Sequence, residues 1–320
     1  MADILSIAPF LDGLVVRPGV AYQGLHIFPV CTVSHEFAPD FPDLMSLTQG
    51  LESGRLLMGE TGEMDKVRVR NAGMHAAMLL DGETLIGGAQ NRMLNAAVLI
   101  SPRCEAEVPA SCVEVHRWEI KNRDDIPADK RAFRKSALAY GHLRRLRMEH
   151  AHRSLRADRA VRLDQNAVWK DIVNHFGISG ANTKTLDLHD LYDHWDAALR
   201  IMEPRFHIQK NQVGMISFLD KHTWHVDLFR DHDMLYKYFK PLVRAYAFDA
   251  LIRLESQTPA RGKAQIDNAR DIFKSLRTAL CHPFPSPGGA SKSIFFTTRS
   301  AQGTALLAES HLIQLTACSK

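Results

Sequence analysis

The sequence of 320 residues predicts an α+β protein, with a β-rich first half like a sandwich or barrel and a mostly helical second half that has a few strands. Three observations predict this class. Short apolar runs separated by turn residues fill the first 120 residues, and apolar residues at helical spacing dominate much of the rest. The content of 45% hydrophobic and 24% charged residues is that of an ordinary globular protein.

The strands of the first half are predicted from alternation and from short apolar runs. Lys66–Arg70 alternates polar and apolar residues, which is typical of a strand with one wet face. Leucines at helical spacing predict a helix within Met45–Met58, across one end of the sheet. Further extended segments are predicted at Met78–Leu80, Ala96–Ile100 and Val108–Trp118.

The second half combines helices with a few strands. Its strongest helical pattern covers Asp231–Leu254, with Pro241 inside it. Other helices are predicted at Asp129–Tyr140, Gln165–Val173, Leu186–Met202 and Ala264–Leu280. Strands are predicted at Val213–Leu219, Thr223–Phe229, Ser293–Thr298 and Leu312–Thr316, and Pro283–Gly289 is predicted to be a loop.

These patterns predict three parts: a β-rich domain at residues 1–120 that carries the candidate site, a basic helical segment at 121–163, and a helical α+β part at 164–320 packed on the first. Between Lys121 and Arg162 there are 13 lysines and arginines against five acidic residues, a local excess of +8. This segment either covers its own domain as a solvated helix or binds a phosphate-bearing partner. The near absence of aromatic residues weighs against single-stranded nucleic acid.

Composition excludes several classes of protein. The net charge of +4 is too small for a global electrostatic argument for nucleic-acid binding. The five cysteines show no metal-binding or disulfide-framework spacing, which favours reduced thiols and a cytoplasmic location. No apolar run is long enough to cross a membrane, and the first residues lack the basic start of a secretory signal.

The first candidate site is the polar segment that follows the apolar run Leu79-Leu80. Its carboxylates Asp81 and Glu83 could divide acid and base roles in catalysis or hold a divalent cation such as Mg²⁺ or Mn²⁺, although the sequence fixes no cofactor. The ligand-binding candidates are Gly87, Gly88, Gln90, Asn91 and Arg92. The alternative is structural: Asp81-Gly82 is a hairpin turn, Gly87-Gly88 a bulge, and Arg92 pairs with Glu83 on the surface.

The second candidate site is Ser111–Trp118. Glu114, Arg117 and Trp118 are interpreted as ligand-binding residues, although Trp118 alternatively belongs to the core. Cys112 is interpreted mainly as a small buried core residue, because a nucleophilic cysteine needs a base placed beside it in space.

The sixteen histidines do not reproduce a known metal-binding pattern, so the metal requirement stays open. The closest groupings are His150 with His152, His189 with His194, and His222 with His225. There is no nucleophile elbow, phosphate-binding loop or dinucleotide-binding fingerprint.

Several segments together resemble a bacterial domain family named for its association with ADP-ribosylglycohydrolases and rhodanese-phosphatase proteins. The segment that ends in Gln90-Asn91-Arg92 is the most specific of them. At this point the family commonly carries a lysine, whereas here Gly88-Ala89 directly precedes Gln90. The other matching segments are His26–Val30, Leu79–Glu83, Ser111–Trp118, Gln165–Trp169, Gln212–Gly214, Asp227–Phe229 and Arg244–Ala250.

The resemblance implies the binding or processing of a nucleotide-type small molecule derived from ADP-ribose or NAD, within a bacterial defence or conflict system. In that reading Asp81 and Glu83 are catalytic, and Arg92 and Arg117 contact phosphates. One alternative is a non-catalytic sensor or scaffold that binds a protein partner in such a system. Nucleic-acid binding through the basic segment is a further alternative.

Overall fold

The computed structural model describes residues 6–33, 42–116, 132–158, 160–286, 291–309 and 311–320. Seven α-helices lie in these ranges: α1 (Leu47–Glu52), α2 (Gly141–Asp158), α3 (Gln165–Ser179), α4 (Leu188–His194), α5 (Asp196–Met202), α6 (His232–Glu255) and α7 (Ile266–Leu276). Short 3-10 helices cover Ala8–Leu11 and Glu203–Arg205.

The described ranges also contain eighteen strands. Those up to residue 100 are β1 (Leu14–Val16), β2 (Val20–Tyr22), β3 (Leu25–Thr32), β4 (Met45–Ser46), β5 (Leu56–Glu60), β6 (Lys66–Asn71), β7 (Ala77–Leu79), β8 (Glu83–Gly87), β9 (Arg92–Leu94) and β10 (Val98–Ile100). The others are β11 (Glu105–Cys112), β12 (Ala132–Leu138), β13 (Gln212–Phe218), β14 (Trp224–Phe229), β15 (Leu280–Pro285), β16 (Lys292–Thr297), β17 (Ala301–Ala308) and β18 (His311–Ser319).

The chain forms two compact units that are interleaved along the sequence. The sheet unit comprises Met1–Phe41, Ala197–Pro285 and Ser291–Lys320, and the barrel unit comprises Pro42–Asp196 and Ser286–Ala290. Their boundaries fall at other positions than the predicted ones at 120 and 163. The fold class α+β is confirmed.

The sheet unit is built on a nine-stranded antiparallel sheet in the order β1-β3-β13-β14-β18-β17-β16-β15, with β2 paired to β3. Trp224, Val226 and Leu228 of β14 enter the same apolar core as Phe273 of α7. Asp227, which lies between them, instead accepts a hydrogen bond from Tyr246 of α6. Because neighbouring strand residues face opposite sides, α6 and α7 pack on opposite faces of the sheet.

The barrel unit contains a closed barrel in the order β11-β6-β5-β12-β8-β9, which confirms the predicted barrel-like body. Val67 and Val69 of β6 point into its core and are fully buried, while Arg68 and Arg70 between them are exposed. The period-2 pattern of β6 therefore places one face in the core, as predicted. A three-stranded sheet, β10-β7-β4, packs its apolar side chains in the same core.

The predicted mostly helical second half is confirmed only in part, because six of the described strands, β13–β18, follow residue 164. The helix predicted at Asp129–Tyr140 is wrong for the described residues, since Ala132–Leu138 is strand β12. Phe133 of β12 fills the barrel core, and the strand pairs with β5 and β8. Its Ala, Arg, Lys and Leu residues favour a helix locally, but pairing and burial override that preference.

Three other predictions need smaller corrections. The helix expected within Met45–Met58 covers only Leu47–Glu52, and strand β5 begins at Leu56. The helix expected at Leu186–Met202 is divided into α4 and α5. The loop expected from Pro283 begins later, because β15 continues to Pro285 and pairs with β16.

Several predicted elements are confirmed. They are α3, α6, β6, β13, β14, β16 and β18. The five cysteines are free thiols, as expected. In the described part of the chain no helix combines the length and the apolar character that a bilayer crossing needs.

Candidate functional site

All predicted site residues that the structure describes lie in the barrel unit. Arg117 and Trp118 lie outside the described residues, so their roles stay predictions. The remaining residues fall into three groups. They are a buried network around Asp81 and Glu83, called the inward network, the residues around the ion pair of Arg92 with Glu60, and a polar cluster that includes Asn91.

The inward network consists of Asp81, Glu83, Arg144 and Arg147. Asp81 is fully buried and forms an ion pair with Arg147, whose Nη1 also donates to the carbonyl oxygen of Asn95 at 2.8 Å. Both arginines belong to α2 and are almost completely buried. Arg147, a residue of the predicted basic segment, therefore pairs with a carboxylate of its own unit.

Glu83, the first residue of β8, is hydrogen-bonded to the turn that joins β7 to β8. Its Oε2 accepts a hydrogen bond from the backbone N–H of Leu80 at 2.6 Å. Burial raises the pKa of Glu83 well above its ordinary value, and the charge of Asp81 raises this pKa further, while the Leu80 N–H and Arg144 act in the opposite direction. The predicted hairpin is wrong, because β7 pairs with β10 and β4, whereas β8 pairs with β12 and β9.

The guanidinium of Arg92 is engaged inside the barrel unit. It donates to Glu60 Oε2 at 3.2 Å and to the carbonyl oxygen of Met64 at 2.9 Å, and it also contacts Cys112 Sγ. The predicted surface pair of Arg92 with Glu83 is therefore wrong, since the partner is Glu60 and both side chains of the pair are only 5% exposed. In this arrangement the guanidinium faces protein groups rather than solvent.

Cys112 is fully buried beside Arg92. Burial raises the pKa of its thiol to about 11, although the charge of Arg92 acts in the opposite direction. The thiol donates to Gln90 Oε1 at 3.1 Å, so Gln90 is also engaged within the unit. A thiol of this kind stays protonated near neutral pH and fits the interpretation of Cys112 as a core residue.

Gly87 and Gly88 let the chain turn sharply between β8 and β9. Their φ angles are 124° and 63°, in the left-handed region that side chains avoid. A Cβ at Gly88 would lie 2.8 Å from both Glu60 Oε1 and the buried ring of Phe133, so the close packing here also favours glycine. Glu60 Oε1 accepts the backbone N–H of Ala89 at 3.2 Å.

The third group, the His189 cluster, consists of Thr84, Asn91, Asp187 and His189. Asn91 accepts the Gly87 N–H at 2.8 Å through Oδ1 and donates through Nδ2 to Asp187 Oδ2 at 2.7 Å. Its backbone N–H donates to Glu114 Oε2 at 3.3 Å, and Glu114 and Asp187 form an isolated β-bridge. The structure thus brings two predicted residues, Asn91 and Glu114, next to two that the sequence analysis did not select.

His189 links Asp187 to Thr84. Its Nδ1 lies 3.1 Å from Asp187 Oδ1, and its Nε2 lies 2.8 Å from Thr84 Oγ1. Since a carboxylate accepts hydrogen bonds, Nδ1 is the donor; in a neutral imidazole Nε2 then carries the lone pair and accepts the Thr84 hydroxyl. The His189 side chain is 13% exposed, whereas Thr84 is fully buried.

Local sequence explains why His189 meets Asp187. Asp187 is the N-cap of α4 and accepts the backbone N–H of His189 at 3.3 Å, which brings the two side chains to one end of the helix. The sequence analysis grouped His189 with His194 and missed the residue two positions earlier. An aspartate directly before a helical pattern is a capping signal that could have found this pair.

Comparisons with known proteins bear on the whole chain rather than on single side chains. No curated protein and no solved structure matches the chain. A family model covers residues 13–318, which includes both units and all the clusters described above. This match confirms the resemblance seen in the sequence: the chain belongs to the family of the ARG and Rhodanese-Phosphatase-superfamily-associated Protein domain.

Proposed function

We propose that this protein binds and processes a nucleotide-type small molecule derived from ADP-ribose or NAD, with His189 as the general base. The arrangement of Asp187, His189 and Thr84 carries the proposal. The family name, which refers to ADP-ribosylglycohydrolases, supports the class of ligand.

The hydrogen bonds around His189 favour a role in proton transfer. A carboxylate that orients an imidazole and stabilises its protonated form is the arrangement by which enzymes prepare a histidine base. Asn91 fixes the other oxygen of Asp187 at 2.7 Å, which restrains the carboxylate. The cluster therefore holds the imidazole in one tautomer before any ligand binds.

Thr84 is assigned a positioning role rather than that of a nucleophile, because its side chain is fully buried. During turnover, a water or a substrate hydroxyl would replace the Thr84 hydroxyl at His189 Nε2. The hydrogen bond that Nε2 accepts from Thr84 is then exchanged for one from the incoming group. His189 then accepts a proton from the incoming group.

The earlier assignment of Asp81 and Glu83 as catalytic residues stays a prediction, and their burial favours a second candidate function. If these carboxylates only stabilise the fold, the protein can act as a non-catalytic sensor that binds the nucleotide or a protein partner in a defence system. Because Arg92 is engaged with Glu60, phosphate contacts in either function would depend on Arg117 or on a rearrangement of Arg92.

Ligand-dependent melting combined with product analysis tests the proposal. The full chain is melted with ADP-ribose, NAD, cyclic ADP-ribose and ATP, with and without Mg²⁺ or Mn²⁺, and the mixtures are analysed by chromatography. A ligand at 100 times its Kd stabilises the folded state by about 2.7 kcal/mol, which is visible as a shift in Tm. We expect a shift and a product with at least one ADP-ribose-containing ligand.

Two matched variants identify the base. His189→Gln is expected to keep the Tm shift and to lose roughly 100-fold to 10,000-fold in kcat, the range for a general base. His194→Gln, at an exposed histidine five residues later, is expected to behave like the unmodified protein. A shift without any product would favour the sensor, and the absence of a shift with every ligand would overturn the nucleotide proposal.

A further inference from the structure

A second group of polar side chains in the barrel unit lies on α2 and α3. His142 is the second residue of α2, while Asp171 and His175 lie one turn apart on α3 and share a face. One potential ligand atom from each of the three side chains lies within 4.8 Å of the others. Among the described residues, this is the one group of three that meets this condition.

The distances within this group fit a metal centre. His142 Nδ1 lies 2.8 Å from Asp171 Oδ1. His175 Nδ1 lies 3.6 Å from Asp171 Oδ2 and 2.8 Å from the backbone carbonyl oxygen of Asp171, so it must leave that carbonyl to bind an ion. A tetrahedral zinc ion with ligands at about 2.05 Å keeps its ligand atoms about 3.3 Å apart. Both distances to the carboxylate differ from that value by about half an ångström or less, which small side-chain rotations can supply.

Tyr140 orients the carboxylate of Asp171 by a hydrogen bond. It is fully buried, and its hydroxyl donates to Asp171 Oδ2 at 2.8 Å. Its ring lies 4.4 Å from the ring of His175, measured between centroids. Metal-binding carboxylates are commonly oriented by such a hydrogen bond, and the ring restrains the histidine.

Exposure differs across the group in a way that allows an ion to enter. The side chains of Asp171 and His175 are 8% and 6% exposed, whereas that of His142 is 44% exposed. One side of the group therefore faces solvent. Three protein ligands with one open side leave room for a bound water in the fourth position, the pattern of catalytic rather than structural zinc sites.

We propose that His142, Asp171 and His175 bind one divalent transition-metal ion of the zinc class, with Tyr140 as a positioning residue. Two imidazoles and one carboxylate suit zinc and its neighbours in the first transition row, whereas Mg²⁺ and Mn²⁺ prefer oxygen ligands. The site differs from the cation site that the sequence suggested at Asp81 and Glu83, and it does not depend on the proposed function of His189.

Equilibrium dialysis of the metal-free full chain against Zn²⁺ and Co²⁺ tests the proposal. One equivalent is expected to bind, and Co²⁺ is expected to give the visible absorption of a four-coordinate or five-coordinate ion. His142→Ala should lower the affinity by at least about 100-fold, the upper range for groups that only support a ligand. Because His142 is largely exposed, this variant is expected to fold.

Control variants separate the site from adventitious binding. His194→Ala removes an exposed histidine outside the group and should leave the affinity unchanged. Tyr140→Phe should lower it by about 10-fold and keep the Co²⁺ absorption, as expected for a group that orients a ligand. Substoichiometric binding, or binding that His142→Ala and Asp171→Asn leave unchanged, would overturn the proposal.

Discussion

The inward network and the His189 cluster lie in the same unit and differ in how their charges are satisfied. In the inward network, Asp81 is paired with Arg147 and both side chains are at most 1% exposed. In the His189 cluster, Asp187 bonds to neutral or titratable partners, and the His189 side chain is 13% exposed. The first arrangement is that of buried charges held by their partners, while the second contains the histidine that we propose as the general base.

The contrast teaches that a conspicuous pair of carboxylates in a sequence does not by itself indicate catalysis. Buried charges need partners, so a site that must hold carboxylates inside the protein also carries arginines. Here those arginines come from α2, more than 60 residues later in the chain. Substitutions in the two groups should therefore affect different quantities, stability in the first and turnover in the second.

Arg147→Ala is expected to have the largest effect. It removes the ion pair with Asp81 at a buried position, which should cost about 3–5 kcal/mol of unfolding free energy. Urea unfolding measures the loss. Arg153→Ala, at an exposed position on the same helix, should change stability by less than about 0.5 kcal/mol. Equal effects of the two substitutions would remove the inward network as a source of stability.

Asp187→Asn should lower the unfolding free energy by about 1–3 kcal/mol, because asparagine keeps the N-cap of α4 but its amide NH2 faces an N–H donor of Asn91 or His189. The same change should reduce any turnover strongly, since an amide does not stabilise a protonated His189. Urea unfolding and product formation are measured on the same preparation. A large loss of stability with unchanged turnover would reverse the contrast between the two groups.

Glu83→Gln should change how stability depends on pH. Burial raises the pKa of Glu83 in the folded protein, so its contribution is fully present below the ordinary pKa of glutamate and is lost as the pH rises through the raised value. Glutamine keeps an acceptor for the Leu80 N–H and does not titrate. The variant should gain stability relative to the unmodified protein between pH 5 and pH 8 in urea unfolding. If the unfolding free energies of the variant and the unmodified protein changed in parallel with pH, the raised pKa of Glu83 would be contradicted.

The smallest signal is expected from labelling of Cys112. This thiol should not react with a thiol reagent in the native protein at pH 8. Its pKa is raised to about 11 and its side chain is fully buried. Cys104 is exposed and should react first. Mass spectrometry of the labelled peptides distinguishes the two residues. Rapid labelling of Cys112 before unfolding would show that solvent reaches the interior beside Arg92.

Sequence patterns predicted the elements whose periodicity is long or strict. The alternation of β6 and the helical spacing of α3 and α6 are local signals, and local geometry is enough to satisfy them. β12 was mistaken for a helix because its residues favour one locally, whereas its pairing partners, β5 and β8, lie about 50 to 75 residues away along the chain. β15 was missed because its prolines suggest a loop.

The sequence by itself determined the α+β class and the family, since these depend on composition, periodicity and local motifs. Only the tertiary structure decided which partner each polar group has. Arg147 reaches Asp81 over 66 residues, Asp187 reaches Asn91 over 96, and His189 reaches Thr84 over 105. Contacts at such separations depend on how the barrel closes and how α2 and α4 pack, and no local pattern in the chain encodes them.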